Sequence, residues 1–471
     1  MELNEIFEKN RNIADIISDL KEKSVIVIPW SKLVREYDPS KHEIMTDKVT
    51  RKDKVRPDGS LEKVARVTYG MQRISTRRMT QMAFSIPVKR NYDTGEDTVK
   101  KAIAVAIEKI YKKARIDAIN TKRMHAYFAA CEILSIWYAV KSENEDYGFK
   151  SKYKLRCMSF SPMDAKFSRI EQANLYPLMQ GQDMLAMSME YYKIEKKRKI
   201  LYFETYIANK HYLWKLADSG WEEVSHPEDI VILKIPGSYL WRPLPIWEDA
   251  TNNTKEIEYA LSRESDIIRK NSAPIVKIAG KLANGKTAED VAREVYQLEG
   301  TGDISYVTWQ QQVEALKFYT ETLKKNTEEE LQLPNLSLEN TKGLGALSGE
   351  ARKTLLTDGH LKVGDESGDI IEFLDRECNI IKAFLEQMNT QWRGKTASVD
   401  VEHVITPFIQ NDEMNDIEKN TKATGGKAIA SRRTAVKRLG WVDENEIKNE
   451  IEQIEKEEAE QYAGDVFEIG E

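Results

Sequence analysis

A chain of 471 residues and 54.3 kDa has room for two to four domains, and with 41% hydrophobic and 31% charged residues it can bury sizeable cores beneath a polar surface. Its formal net charge of −6 is uneven: residues 442–471 hold 12 acidic and 2 basic side chains and leave the rest near +4, too weak a basic field to grip nucleic acid tightly but compatible with DNA that slides past. Three distant cysteines (Cys131, Cys157, Cys378) argue against a disulfide framework and against zinc-ligand spacing, and they suit folding in a reducing cytosol.

The opening residues lack the basic region and apolar core of a secretory signal. Residues 3–22 predict a helix with Ile6, Ile13, Ile16, Ile17 and Leu20 as its apolar positions, followed by a short strand at 25–28. Residues 35–62 are polar, with turn signals at Asp38-Pro39 and Pro57-Asp58-Gly59. A helical tendency runs from 64 to 84, with Arg73, Arg77 and Arg78 on its surface, and Pro87 stops it. A helix at 97–120 leads to the most apolar run, 124–140, which contains His125 and Glu132 and falls short of the roughly 20 residues of a membrane span. It reads as a buried helix.

Runs rich in Tyr, Phe, Ile and Leu at 154–160, 191–194, 199–207 and 211–215, with a further one at 230–236, predict short strands. Lys196-Lys197-Arg198 falls in a hairpin turn between two of them, as a solvated loop. From 248 to 271 the pattern is helical, with Ile257, Ala260, Leu261 and Ile268 as its stripe. A compact α/β insert follows at 272–308, then an amphipathic helix at 309–332 whose stripe is Val313, Leu316, Thr320 and Leu323. A Gly-Leu loop leads to a helical region at 348–390, where Gly359, Gly364 and Gly368, at about 1 kcal/mol each, predict a kink or break. A strand at 399–409, limited by Pro407, precedes helices at 411–461 interrupted at Gly425-Gly426 and Gly440-Trp441.

One motif suggests chemistry. Gly280-Lys281-Leu282-Ala283-Asn284-Gly285-Lys286-Thr287 matches the phosphate loop G-x-x-x-x-G-K-T, in which Lys286 would reach the β/γ phosphates and Thr287 would hold Mg²⁺. A strand-like run precedes it and a helix at 288–298 follows, but the parallel βα units that such a loop serves do not. Asn284-Gly285 is also an ordinary tight-turn pair. The six histidines are scattered, with no catalytic or metal-ligand partner in sequence, so no catalytic residue, metal site or cofactor is assigned.

The order of parts resembles the portal proteins of tailed bacteriophages. The segment 73–88, the β-rich block ending Ile235-Pro236-Gly237, the run Ala273-Pro274-Ile275-Val276-Lys277, Leu333-Pro334-Asn335, and Leu347-Ser348-Gly349-Glu350-Ala351 are similar to successive steps of that family. So is the end of the chain, from Ser431-Arg432-Arg433-Thr434-Ala435 through Trp441-Val442-Asp443. The resemblance implies a mostly helical α+β fold with a β-rich wing (1–248), stem helices at 249–271 and 309–332, and a small α/β clip (272–308). A channel loop, kinked helix and wing return strand (333–410) and a helical crown with an acidic C-terminal helix (411–471) complete it.

It further implies a non-enzymatic ring of twelve copies in the virion, assembled in the host cytoplasm, that carries double-stranded DNA without reading its sequence. The ring would dock the packaging ATPase (terminase), the major capsid and scaffolding proteins, and the head-completion adaptors, with no membrane involved. Ser337, Asn340, Thr341, Lys342, Gly343 and Gly345 are the candidate DNA-channel residues: polar groups for phosphates, and glycines that let the loop shift. Lys277, Lys281, Lys286 and Arg293 are candidates for docking the motor. A nucleotide-binding protein built on residues 280–287, or another phage structural or scaffolding component, are the alternatives.

Overall fold

A computed structural model describes the chain except for residues 1–2, 9–10, 25–26, 50, 56–57, 182, 272–274, 283–297, 308–312, 336–353, 355, 409–412, 426–427, 443–445 and 468–471. It divides into two compact units, Met1–Asn335 with Asp358–Phe408, and Leu336–Thr357 with Ile409–Glu471.

The first unit begins with short helices α1 (Leu3–Ile6), α2 (Ile13–Glu22), α3 (Trp30–Tyr37) and α4 (Glu43–Thr46). A two-rung ribbon, β1 (Lys54–Val55) and β2 (Leu61–Glu62), precedes α5 (Met71–Phe84), β3 (Lys89–Asp93), α6 (Thr98–Ala114) and α7 (Ile116–Ala130). Ten strands follow: β4 (Glu132–Asn144), β5 (Ser151–Ser161), β6 (Glu171–Gln172), β7 (Asn174–Gln180), β8 (Asp183–Glu195), β9 (Arg198–Ile207), β10 (Lys210–Ala217), β11 (Gly220–Glu223), β12 (Glu228–Asp229) and β13 (Gly237–Trp241). Then come α8 (Thr251–Asn271), the strands β14 (Ile275–Leu282) and β15 (Leu298–Val307), α9 (Val313–Leu331), α10 (Thr357–Met388) and β16 (Asp400–Val404). The second unit holds α11 (Glu413–Thr424), α12 (Arg432–Leu439), capped by Ser431 and ended by Gly440 at φ +68°, and α13 (Ile447–Phe467).

Two sheets, ordered β13-β4-β5-β6 and β11-β10-β9-β8-β7, organise the first unit in layers. Leu134, Ile136, Phe160 and Tyr239 of one sheet pack on Leu175, Met187 and Met189 of the other. The outer face of the second sheet buries Ala186, Phe203, Ile207 and Trp214 under Ile6, Ile16, Ile17 and Leu20 of α1 and α2. The outer face of the first carries Trp137 and Leu155 against Ile103, Ile107, Ile110 and Tyr111 of α6 and Ile381 and Leu385 of α10.

An ion pair lies within this packing. Arg123 of α7 and Glu377 of α10, both fully buried, meet through two hydrogen bonds of 2.6 and 2.9 Å. Trp137 Nε1 donates to the same carboxylate at 2.8 Å, Arg123 also donates to Ser135 Oγ at 3.0 Å, and its guanidinium lies 4.7 Å from the centre of the Phe373 ring. Burial works to raise the Glu377 carboxyl, and the charge and hydrogen bonds of Arg123 outweigh it, so Glu377 is held below its ordinary value.

Several expectations need correction. The run 124–140 is not one helix: α7 ends at Ala130, Cys131 takes φ +65°, and β4 begins at Glu132. The run is mostly apolar, and its few polar residues (His125, Glu132, Ser135) follow no single period, so periodicity could not separate a buried helix from a buried strand. Residues 64–70 are not helical, for a reason given below, and no strand covers 27–28 or 230–236. The insert contains an antiparallel hairpin, β14 with β15; its expected helix lies outside the described residues except Leu298, which is in β15. Arg73 is not a free surface group, since it donates to Tyr37 O and Asp38.

The glycines do not break α10, which is continuous over 32 residues. Gly359 is there for contact: a Cβ would stand 2.8 Å from Met82 Cε and 2.9 Å from Pro334 Cδ, whereas Gly364 and Gly368 face open space. The Lys196-Lys197 turn does join β8 to β9, but both lysines have positive φ (+47° and +69°), which costs side-chain-bearing residues on the order of 1 kcal/mol each.

Two outcomes test this frame. Gly364→Ala should stabilise by about 1 kcal/mol while Gly359→Ala, in the same helix, should destabilise; equal shifts in urea midpoint would sink the contact argument. Glu377→Gln should cost about 3–5 kcal/mol, and Arg123→Met with Glu377→Leu should recover most of it. A double variant no more stable than the single would show that the pair's charges are not what the site compensates.

Candidate functional site

The site is the pair of long helices that flank the insert, together with whatever fixes them. Helices α8 and α9 run against each other, tied by Asn253 Nδ2 to Glu330 Oε2 at 2.8 Å and Tyr319 OH to Glu256 Oε1 at 3.0 Å. The stripe on α9 extends the expected one: Leu316 and Leu323 are half-buried, and Thr320, Thr327 and Leu331 are buried. The hydroxyls of Thr320 and Thr327 turn back onto the carbonyls of Leu316 and Leu323, so these polar groups enter the packing already satisfied.

The second face of α8 is polar, and it explains why residues 64–70 are extended. Glu258, Ser262 and Asp266 stand four residues apart on one face. Their side chains accept the backbone N–H of Tyr69 at 2.7 Å, Val67 at 2.8 Å and Ala65 at 2.6 Å. Four helical residues rise about 6.0 Å and two extended residues span about 6.7 Å. Every second N–H of the strap therefore meets every fourth side chain of the helix, and the strap's donors are used up before a helix could claim them.

Around these rungs the contacts multiply. Arg51 donates to Asp266 and, at 2.8 Å, to Ala65 O. Buried His42 places Nδ1 2.5 Å from Glu258 Oε1 and Nε2 2.5 Å from Glu36 O, and Glu36 accepts Trp247 Nε1 at 2.9 Å. A neutral imidazole satisfies only one of those two acceptors. Asp38 receives Ser40, Arg73 and Lys166; although burial works to raise it, the hydrogen bonds from Lys166 and Ser40 and the charge of Lys166 hold its carboxyl down at about 2. The polar, turn-rich stretch of the sequence is thus the clamp on the first long helix.

Of the residues expected to carry function, Lys277 and Lys281 lie on β14, at register positions opposite Ser305 and Glu299. Ser337, Asn340, Thr341, Lys342, Gly343, Gly345, Lys286 and Arg293 lie outside the described residues. Gly280, the first residue of the phosphate-loop match, sits within β14, whose described partner is the antiparallel strand β15. A phosphate loop instead leaves a parallel sheet. His42, Arg51, Glu258, Ser262 and Asp266 were not singled out by the sequence; the legible signal was the polar spacing 258, 262, 266 opposite the apolar Ile257, Ala260 and Leu261.

The rungs make a measurable claim. Ser262→Ala removes the acceptor of Val67 N–H at a site with no solvent access, and should cost about 1–3 kcal/mol. An unchanged urea midpoint would mean that the strap is not held by α8.

A family model described as phage portal protein, SPP1 Gp6-like, matches residues 31–463. No curated protein matches the chain. Among solved structures, a chain from the neck of a native GTA particle computed with C12 symmetry is similar at 10% identity and a TM-score of 0.40, covering 90% of this chain and 98% of that one. A chain from the neck of an empty GTA particle computed with C6 symmetry is 11% identical at a TM-score of 0.36, covering 86% and 94%. One from the virion of a native gene transfer agent particle is 12% identical at 0.37, covering 78% and 88%.

Proposed function

This chain belongs to the SPP1 Gp6-like family of phage portal proteins, and we propose that it acts as one subunit of a ring at the capsid vertex whose central channel passes double-stranded DNA during packaging and ejection. The observation that carries the reading is the family match over residues 31–463, nearly the whole chain. A portal protein is a structural component of the particle, so the hydrolysis that drives packaging belongs to a docked ATPase and not to residues 280–287.

In this reading α8 and α9 are the stem and the β14–β15 hairpin is the clip. Residues 335–347 are the DNA-facing loop of this reading, through Ser337, Asn340, Thr341 and Lys342, with Gly343 and Gly345 letting the loop shift. Ring symmetry multiplies each side chain by the number of copies, so a single Lys342 per subunit becomes a belt of positive charge that meets phosphates without reading bases. Twelve copies is the number the reading takes. Lys277, Lys281, Lys286 and Arg293 on the clip meet the packaging motor, and the wing meets capsid and scaffolding proteins. Adaptors seal the filled head, and the assembled ring resides in the virion.

A second reading, nucleotide binding through Lys286, draws only on the motif itself. Negative-stain images of the purified protein should show closed rings, and only monomers at assembly concentrations would overturn the portal reading. In the same preparation ATP should not bind, and Lys286→Ala should change nothing; ATP binding abolished by that substitution would favour the second reading.

A further inference from the structure

The β8–β9 hairpin outruns its sheet. Strand β7 accompanies β8 only as far as Glu190, and β10 accompanies β9 only from Tyr202 onward. Residues 191–201 therefore form an arm with no neighbouring strand on either side among the described residues. Its rungs are Tyr191 with Tyr202, Tyr192 with Leu201, Lys193 with Ile200, Ile194 with Lys199, and Glu195 with Arg198. At about 3.4 Å per residue the arm reaches roughly 15 Å beyond the sheet. A two-stranded ribbon of this kind is marginal in water.

Three features of the arm work against its own stability or solubility. Its turn consists of two lysines at positive φ, where Asn-Gly would sit without strain. Five basic residues (Lys193, Lys196, Lys197, Arg198, Lys199) crowd the tip against the one carboxylate of Glu195, which accepts from Tyr202 OH. On one face Tyr192 and Ile194 are 58% and 79% exposed, beside Lys199, whose Nζ lies 4.0 Å from the centre of the Tyr192 ring. Strain, like charge and bare apolar surface at one tip are accounted for together if the tip is shaped for something that covers it.

We infer that this arm is a docking element for an acidic amphipathic helix of another protein. The cations call for carboxylates, and Ile194 calls for an apolar counterpart that a phosphate backbone does not offer. Tyr192 and Ile194, two residues apart on a strand, stand about 6.8 Å from each other, close to the roughly 6 Å between apolar residues one turn apart on a helix. Carboxylates flanking that apolar stripe then reach Lys196, Lys197 and Arg198. Both edges of the ribbon are open, but the lysines at the tip work against pairing with an extended strand. The inference rests on the arm's own geometry and stands whether or not the chain forms a ring.

The test uses the full chain and three fluorescent probes at physiological salt: a synthetic helix with leucines on one face and glutamates on its flanks, a scrambled peptide of the same composition, and a short DNA duplex. The amphipathic helix should bind, and about tenfold more tightly than the scramble. Tyr192→Ser with Ile194→Ser should lose that advantage, and Lys196→Glu with Lys197→Glu should lose binding. Lys196→Asn with Lys197→Gly, which keeps the hairpin and relieves its turn, should raise the melting temperature yet weaken binding, so it decides the matter if the other variants fold poorly. Equal binding of scramble and helix, tighter binding of the duplex, or undiminished binding by the Asn-Gly variant overturns the inference.

Discussion

Everything in the first unit is referred to the desolvated charge pair between Arg123 and Glu377. It joins a helix that precedes the β-rich block to one that follows both long helices and the insert, and Trp137 and Ser135 add β4 to the same node. A pair of apolar residues of similar volume would serve stability as well, because the attraction of two buried charges is largely offset by removing them from water. What the charges supply is direction. A guanidinium fork fits a carboxylate in few orientations, so α7, α10 and β4 are fixed in register, and long stretches of chain can be inserted between them without disturbing that register.

The same logic recurs along α8, where a helix and an extended strap are matched rung by rung. On the portal reading proposed above, this helix would be repeated around a ring, and a helix free to tilt in each copy would blur the surface the ring presents. Glu258, Ser262 and Asp266 each accept a backbone N–H of the strap, and so fix its position along the helix.

The sequence was most legible where one face of an element meets water. The stripes of α2 and α9, strands β9 and β10, the end of β8, the Lys196-Lys197 turn and the interruptions at Gly425 and Gly440 all follow from local pattern, whereas β7, β11 and the first part of β8 carried no signal that was read. It was least legible where tertiary partners decide. Residues 124–140 are mostly apolar with no clear period, so only the surrounding layers choose strand over helix after Cys131. Residues 64–70 have helical composition, but α8 takes their N–H groups. Gly359 looks like a breaker until Met82 and Pro334 are placed against it. The clamp of His42, Arg51 and Asp266 was illegible because Arg51 and Asp266 are 215 residues apart in the chain, and no spacing rule connects them. The phosphate-loop string shows the converse failure, a perfect local match whose first glycine belongs to an antiparallel strand.

The strap on α8 also limits itself. Helix and extended chain advance by about 6.0 and 6.7 Å per rung, so they behave like the two scales of a vernier, in step at one mark and drifting on either side. Over three rungs the slip is about 1.4 Å, which side chains can absorb; a fourth would add about 0.7 Å more and exceed what a hydrogen bond tolerates. The clamp therefore spans three rungs, from Glu258 to Asp266. The length of the clamp is thus set by the arithmetic of two backbone repeats.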